Sequence, residues 1–284
     1  MASQASHKQV ALVTGASSGI GQATAELLAA HGFTVFGTSR TPIRENIQEK
    51  RSYTWLPLDV RSDDSVQAAV QSLLAQAGRI DLLVNNAGYV QFGAIEESSI
   101  ADAQAQFDTN LFGVIRMVKA VLPVMRQQGS GRIINISSIV GHIAPPYGGL
   151  YGASKFALEG LSESLSAEVR QFGVSVALVE PSYVNTPLVT QPATKLIADY
   201  TPGRQIAQQS LATNAKQGLE PGAVARVILR AATSRPRLRY PVGLDGKIAL
   251  LLQRLLPDSA FEALKRRLFS SGKTAAPHAQ TQPH

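Results

Sequence analysis

Short apolar runs alternate with stretches of helical periodicity along most of this chain. An apolar run of about four to eight residues is typical of a buried strand, whereas apolar positions at helical spacing are typical of a helix packed on one face. The alternation implies right-handed β-α-β crossovers and a single α/β domain, in which a doubly wound parallel sheet lies between two helical layers. The pattern predicts strands at 10–13, 34–38, 53–56, 82–85, 132–136 and 174–179, and helices at 22–30, 62–76 and 150–171, with more helices up to about 127.

Two parts of the chain interrupt this alternation. Residues 182–220 contain three prolines, several glutamines and only scattered apolar residues, which predicts a lid or a poorly ordered surface loop. Residues 244–269 resume a helical pattern and form a C-terminal extension of the domain, which we place at 8–269. The polar ends, 1–7 and 270–284, are expected to be flexible and disordered, respectively.

A glycine-rich turn joins the first predicted strand to the first predicted helix. In this segment, TGASSGIG at 14–21, Gly15 allows a sharp turn, Gly19 lets the backbone approach a phosphate, and Gly21 lets the helix pack closely on the strand. The helix N-terminus presents unpaired N–H groups and a partial positive charge, as in a dinucleotide phosphate site. The turn by itself also fits a tight strand-helix connection, so other motifs have to decide.

A tyrosine and a lysine stand four residues apart at the start of the predicted helix 150–171. On a helix, Tyr151 and Lys155 share one face, and the ammonium can lower the tyrosine pKa from about 10 by stabilising the phenolate. Ser138, which we prefer to Ser137 by spacing, follows a predicted strand at the sheet edge where ligands bind. Taken singly, each motif also fits a chance surface pair or a turn residue.

Together these motifs make the chain resemble a short-chain dehydrogenase/reductase, a family with the Rossmann fold, over about residues 8–229. The resemblance implies that Tyr151 is the general acid/base, and that Lys155 lowers its pKa and holds the nicotinamide ribose. It implies that Ser138 orients the substrate carbonyl, and that Asn110 maintains a water-linked proton path to the lysine. The C-terminal extension resembles that of steroid- and retinoid-type members.

The end of the second predicted strand selects between the two nicotinamide cofactors. An acidic side chain there would bind both ribose hydroxyls and repel a 2′-phosphate. The chain has Arg40 instead, with no carboxylate from 32 to 44, and a guanidinium suits a phosphate. We therefore expect NADP(H), the alternative being a solvated surface arginine. The predicted cofactor-binding residues are Gly15, Ser17, Ser18, Gly19, Ile20, Gly21, Ser39, Arg40, Asp59, Val60, Asn86, Ala87, Gly88, Tyr151, Lys155, Pro181, Val184 and Thr186.

Three of these contacts come from the resemblance and have structural alternatives. The Asn-Asn-Ala-Gly segment, 85–88, would brace the sheet beside the adenine ribose, or serve only as a turn. Asp59 would contact the adenine amino group, or cap a helix, although Ser62 fits that cap better. The segment 181–186 would bind the carboxamide, but Ser182 replaces the family's glycine and would be strained at positive φ.

The predicted substrate pocket is lined by largely apolar side chains, and no arginine or lysine is placed to hold a carboxylate or phosphate. This composition favours a lipophilic ketone, aldehyde or secondary alcohol. A histidine in the lining could be a second acid/base, although a pocket-edge or solvated position is favoured. The predicted lining residues are Val90, Phe92, His142, Ile143, Tyr183 and Leu188.

The leading hypothesis is an NADPH-dependent carbonyl reductase or alcohol dehydrogenase. One alternative is a catalytically silent protein that senses NADP(H). Another is a lipid or steroid dehydrogenase on a membrane surface, held there by the basic segment 265–267. We expect the C-terminal helices to pack on the same subunit or a neighbour, and the family's usual homodimer or homotetramer to form through helices 105–127 and 150–171.

Composition and charge narrow the partners. The absence of cysteine excludes disulfides and thiolate metal sites, and we expect no metal. The net charge of +7 comes mostly from residues late in the chain, without interleaved aromatics, so we expect no nucleic-acid partner. A positive field does favour a phosphate-bearing cofactor. With a polar start and no apolar run of about 18 residues, the chain is expected to be cytoplasmic and not held in a membrane.

Overall fold

The computed structural model of the protein describes residues 8–40 and 51–269. Within them, seven strands form one parallel sheet: β1 Val10–Val13, β2 Thr34–Ser39, β3 Thr54–Pro57, β4 Leu82–Asn85, β6 Gly131–Ile136, β7 Val174–Pro181 and β9 Arg239–Val242. Their order is β3-β2-β1-β4-β6-β7-β9. Two short parallel strands, β5 Val90–Phe92 and β8 Thr190–Pro192, pair separately. The predicted doubly wound parallel sheet is confirmed.

Neighbouring residues of a strand point to opposite sides of the sheet. Because both sets of side chains are apolar, helices cover both faces. Leu12 and Leu83 pack in one core with the helices on one side of the sheet, whereas Val13 and Val84 pack in a second core with the helices on the other side. Each such buried aliphatic side chain stabilises the fold by about 1.5–3 kcal/mol. The helices are α1 Gly19–Ala30, α2 Asp63–Ala77, α3 Ile100–Phe107, α4 Gly113–Gln128, α5 Gly149–Val169, α6 Thr201–Lys216, α7 Pro221–Thr233, α8 Leu244–Leu255 and α9 Asp258–Phe269.

Several elements depart from the sequence prediction. The segment 182–220 is no simple loop: it contains β8 and α6, and α6 carries Pro202 in its first turn, where a missing N–H costs nothing. The three-residue strands, α7 and β9 were not predicted. One π-helical turn, Asp108–Phe112, separates α3 from α4 where one continuous helix was expected. The expectations for 1–7, 270–284 and part of 32–44 lie outside the described residues.

The order of the strands determines where a ligand can bind. From β1 the chain builds outward to β2 and β3 on one side, and then returns to place β4 on the other side of β1. A crevice opens at the carboxyl ends of two strands where the order reverses in this way. The glycine-rich turn follows β1, and the Asn-Asn-Ala-Gly segment ends β4, so both lie at this crevice.

Candidate active site

The glycine-rich turn has the geometry that a close backbone approach requires. Gly15 and Gly19 have φ angles of 65° and 56°, in the left-handed region that favours glycine. A Cβ added to Gly21 would lie 2.3 Å from the Gly15 carbonyl oxygen, so no larger residue fits there. A Cβ on Gly19 would lie 3.2 Å from the Cγ2 atom of Thr186, which brings the carboxamide-binding segment predicted at 181–186 against this turn.

The start of α1 is suited to an anion. Ser18 is its N-cap residue with an extended backbone, and the Ser18 side chain makes no capping hydrogen bond. The first-turn amides therefore keep their hydrogen-bonding capacity, and the helix dipole adds partial positive charge. Together with the space that the glycines leave, this turn fits the pyrophosphate of a dinucleotide.

Asn86 and Thr14 connect the two turns at the crevice. The Asn86 Nδ2 atom donates to the carbonyl oxygens of Thr14 and Gly15, at 2.9 and 3.1 Å. The Thr14 Oγ1 atom accepts from the backbone amides of Asn86 and Ala87, at 2.9 and 3.0 Å. Asn86 therefore braces the glycine-rich turn, a contact that the sequence analysis did not specify; the contacts of the segment 85–88 with the adenine ribose remain a prediction.

Asn110 lies in the π-helical turn and is buried. Its Oδ1 atom accepts from the Tyr89 amide at 3.2 Å, while its Nδ2 atom donates to the Tyr89 carbonyl at 3.1 Å and to the Ser154 hydroxyl at 3.2 Å. Gly88 packs directly on this side chain. Asn110 therefore ties the loop after β4 to α5, and π-helical turns often occur at functional sites.

Ser138 stands at the end of β6, as predicted. Its hydroxyl accepts from the Val140 amide at 3.2 Å and donates to the Pro181 carbonyl at 3.3 Å. Ser138 also lies close enough to the Tyr151 hydroxyl to lower its pKa. The structure thus brings Ser138 and Tyr151 together from β6 and α5.

The pKa shifts of Tyr151 and Lys155 differ from the sequence expectation. Burial raises the pKa of Tyr151 to about 12, although the Ser138 side chain opposes the shift. Burial lowers the pKa of Lys155 to about 8, which the charge of Glu159 opposes. The Lys155 Nζ atom donates to the Ile136 carbonyl at 2.7 Å and lies 5.7 Å from the Tyr151 ring centre. The expected lowering of the tyrosine pKa is therefore not found, because the loss of hydration on burial outweighs the opposing influence of Ser138.

The end of β2 and the residues after β3 form a cationic region. Asp59 is held in a two-bond pair by Arg61, whose hydrogen bonds lower the pKa of the Asp59 carboxyl; the charge of Arg40 lowers it further. Arg40 is exposed and therefore accessible to a phosphate. Ser62, and not Asp59, caps α2, as expected. The Val60 side chain is buried in the core, which leaves its backbone for any cofactor contact.

Arg51 is a residue that the sequence analysis missed. Its guanidinium donates to the Ser17 carbonyl at 3.2 Å and to the Ala16 carbonyl at 3.5 Å, and it is bonded to the Tyr53 hydroxyl. It therefore lies against the outside of the glycine-rich turn. No motif marks it, because it stands far from that turn in the sequence.

Ser182 does not have the strain that was considered for it. Among the described residues, Tyr147 is the one non-glycine residue with positive φ, at 61°. Ser182 donates its backbone N–H to the Val242 carbonyl at 3.0 Å, in continuation of the sheet. Val184 forms a parallel bridge with Leu219, which fixes the segment 181–186 to the chain before α7.

The predicted pocket residues come from several elements. Val90 and Phe92 are buried in β5, whereas Tyr183 and Leu188 are exposed. Tyr147 lies between β5 and α6. Its ring centre is 6.3 Å from that of Phe92, and Gly203 packs against its hydroxyl. Ile143 is half-buried in the turn after Ser138. A substrate pocket at these residues remains a prediction.

His142 belongs to a buried charged cluster. Its Nε2 atom lies 3.3 Å from Glu180 and 3.7 Å from Glu159, and the Arg239 Nε atom lies 3.5 Å from Glu180 and 3.2 Å from Glu159. The three acceptor groups, within 4.8 Å of one another, could in principle hold a metal ion. Arg239 already supplies the positive charge there. The Glu180 hydrogen bond raises the pKa of His142.

Comparison with known proteins identifies the family. A family model described as short chain dehydrogenase matches residues 9–196. This protein therefore belongs to the short-chain dehydrogenase/reductase family of oxidoreductases, and the family expectation is confirmed.

Two curated relatives illustrate the range of similarity. A 3-ketodihydrosphingosine reductase of Bacteroides thetaiotaomicron is 49% identical over 178 residues, which are 63% of this chain and 65% of that protein, just under two thirds of its length. The uncharacterized oxidoreductase YusZ of Bacillus subtilis is 40% identical over 283 residues, which are 93% of this chain and all of that protein.

Solved structures share the fold over most of the chain. A short-chain dehydrogenase from Streptomyces avermitilis has a TM-score of 0.78 at 34% identity, and the match covers 95% of this chain and 99% of the other. Among other neighbours, a Burkholderia phymatum enzyme was solved with NAD (TM-score 0.76, 28% identity, 90% and 95% covered). A metagenomic oxidoreductase was solved with NADP (TM-score 0.66, 31% identity, 83% and 98% covered). Members with this fold thus bind either cofactor.

Proposed function

We propose that this protein is an NADPH-dependent reductase of lipophilic ketones and aldehydes, reversible towards secondary alcohols. The observation that supports the proposal is the grouping of Ser138, Tyr151 and Lys155 after β6, at the carboxyl edge of the sheet that also carries the glycine-rich turn. A proton donor, a hydrogen-bond partner and a cation thus share one edge of the sheet with a turn suited to a dinucleotide phosphate. The bound nicotinamide would supply the hydride that carbonyl reduction needs.

Each residue has a distinct task in this proposal. Tyr151 donates its proton to the carbonyl oxygen as the carbon accepts the hydride, so that the ketone becomes an alcohol. Ser138 donates a hydrogen bond to the same oxygen and stabilises its developing charge. Lys155 holds the nicotinamide ribose and stabilises the phenolate that remains on Tyr151. Because the pKa of Tyr151 is about 12, this residue carries its proton at neutral pH.

The preference for NADPH is proposed from the charges at the end of β2. Arg40 is exposed there, and Asp59, a carboxylate that senses its charge, is already paired with Arg61. A 2′-phosphate would thus meet a guanidinium suited to two parallel hydrogen bonds. Arg51 supports this side of the cofactor site by fixing the glycine-rich turn.

The substrate class is proposed from the residues predicted to line the pocket. Val90, Phe92, Ile143 and Leu188 are apolar, and no arginine or lysine was identified among the lining residues. The name of the Bacteroides relative, a 3-ketodihydrosphingosine reductase, supports a long-chain ketone. Residues 182–220 are proposed to act as a lid, since α6 packs on Tyr147 through Gly203. A cytoplasmic protein that forms a homodimer or homotetramer completes the proposal.

The test is NADPH oxidation with a panel of ketones of increasing chain length, run for the parent protein and for Tyr151→Phe. We expect the parent to turn over long-chain ketones, and the variant to lose about 10²- to 10⁴-fold in kcat, because the phenol proton is gone. Tyr240→Phe, which removes a hydroxyl bonded at 3.5 Å to the Arg235 carbonyl before β9, is the matched control and should keep its activity. If the parent reduced no carbonyl yet bound NADPH, a sensing protein would replace this proposal.

A further inference from the structure

A stripe of exposed apolar side chains runs along the outer face of α8. Its four members recur at helical spacing, and their exposed fractions are 74% for Leu244, 48% for Ile248, 55% for Leu251 and 70% for Leu255. We call these four residues the α8 stripe. A folded chain seldom leaves so regular a set of large aliphatic side chains in water unless something covers it.

The opposite face of α8 packs on the turn after Ser138. A Cβ added to Gly246 would lie 2.7 Å from the Ile139 side chain, and Ile139 directly follows Ser138. The Gln253 Nε2 atom donates to the His142 carbonyl at 3.0 Å. The α8 stripe therefore lies about one helix diameter, roughly 10 Å, from the turn after Ser138.

Positive charge borders the α8 stripe. Lys247 and Arg254 are both exposed and, being seven residues apart, lie along the same edge of the stripe. Residues 235–269 contain eight basic and three acidic residues, which supply five of the chain's seven net positive charges. An apolar face edged by cations is complementary to the surface of a bilayer with anionic headgroups.

A second copy of the chain fits the α8 stripe less well. If two α8 helices packed antiparallel through their stripes, the edges with Lys247 and Arg254 would face each other, and like charges would repel. Asp245, the acidic residue of α8, cannot relieve this repulsion because it lies on the other side of the stripe. In a parallel pair, the single Asp245 of each helix would face two cations, so excess positive charge would remain. The charge pattern therefore favours an anionic surface.

We propose that α8 is an interfacial helix that binds membranes rich in anionic phospholipids, with the α8 stripe among the acyl chains and Lys247 and Arg254 against the phosphates. Within residues 8–40 and 51–269 no helix has the length and apolarity to cross a bilayer, so α8 would lie in the interface. Such docking would bring the turn after Ser138 close to dissolved lipids. Delivery of a lipophilic ketone to the pocket rests on the proposed reductase function; membrane binding itself does not.

The test is flotation of the full-length protein with two kinds of vesicle: phosphatidylcholine alone, and phosphatidylcholine mixed with phosphatidylglycerol. We expect the protein to float with the mixed vesicles, and to bind less well as salt is added. Ile248→Gln/Leu251→Gln and Lys247→Glu/Arg254→Glu should each lower the partition coefficient by about tenfold or more. The matched controls are Ile100→Gln, on the exposed start of α3, and Lys216→Glu/Arg170→Glu, which should bind as the parent does.

Three outcomes would overturn the proposal: equal partition into both kinds of vesicle, no flotation with either, or variants that bind like the parent while thermal unfolding shows them folded. Concentration-dependent self-association that Ile248→Gln/Leu251→Gln abolishes, without flotation, would assign the stripe to a second copy. Flotation without NADPH oxidation on any ketone would leave the surface intact and contradict only the proposed function.

Discussion

Burial controls the protonation of the side chains at the crevice. The pKa of Tyr151 is raised to about 12 and that of Lys155 is lowered to about 8, since each charged form loses hydration. At neutral pH the phenol therefore keeps its proton, and the lysine is still mostly charged. The pair is thus in the state that donating a proton to a carbonyl oxygen requires.

Arg40 should determine the preference for NADPH. In Arg40→Ala the ratio of kcat/KM for NADPH to that for NADH should fall about 10- to 100-fold, because charge-assisted hydrogen bonds to the 2′-phosphate are lost. Arg51→Ala should instead lower kcat/KM for both cofactors, since it loosens the glycine-rich turn. Arg170→Ala, at the far end of α5, is the control. An unchanged ratio in Arg40→Ala would assign the selection to another residue.

His142 should make stability depend on pH. Its pKa is raised by the hydrogen bond to Glu180 and by the charge of Glu159, against the opposing effects of burial and of the Arg239 charge. Because the folded pKa exceeds the unfolded value of about 6.5, protonated His142 contributes stability that is fully present below that pH and is lost as the pH rises through the folded pKa.

His142→Gln should accordingly destabilise the protein by about 1 kcal/mol more near pH 6 than near pH 9, measured by urea unfolding. His31→Gln, on the exposed end of α1, provides the comparison. Equal losses at the two pH values would mean that His142 contributes packing and no charge.

At the scale of elements, the sequence predicted the strands that are buried in the sheet, but it did not predict elements whose side chains are mostly polar or exposed. The six predicted strands all exist, since each has apolar side chains on both faces. α6 was missed because its apolar positions are sparse, and β9 because Arg239 and Pro241 interrupt its pattern. The π-helical turn that holds Asn110 could not be predicted from neighbouring residues. Asn110 is held there by hydrogen bonds to Tyr89 and Ser154, which are distant in the chain and meet it only in the folded protein.

Two glycines in helices should respond oppositely to alanine. Gly21→Ala would force a Cβ to within 2.3 Å of a backbone oxygen, and we expect a loss of about 1–3 kcal/mol together with weaker cofactor binding. Gly222→Ala, in the first turn of α7, where an added Cβ would meet only the end of the Arg226 side chain at 3.7 Å, should gain about 0.5 kcal/mol from helix propensity. Thermal unfolding and NADPH titration measure both. Tight NADPH binding by Gly21→Ala would argue against a phosphate at this turn.

At the scale of the whole molecule, exposed aromatic residues lie on the helices that are expected to form a contact between copies of the chain. Phe112 and Phe156, both 46% exposed, lie next to α4 and in α5, on the helices expected to form the subunit contact. We expect Phe156→Asp to convert the proposed oligomer into monomers, because it places a charge in an apolar contact. Light scattering during size-exclusion chromatography measures the change, with Tyr200→Asp on the surface as control. A parent protein that is already monomeric would refute the contact.

The sequence by itself determined the family, the parallel sheet and the places of the chemical groups along the chain, because strand patterns and glycine turns depend on neighbouring residues. Only the tertiary structure decided which distant groups meet. Arg51 contacts the glycine-rich turn, His142 lies close to Glu159 and Glu180, and α8 packs one face on the turn after Ser138 and leaves the other face exposed. Those contacts, and the pKa values that follow from burial, depend on packing between segments far apart in the chain, which no local pattern encodes.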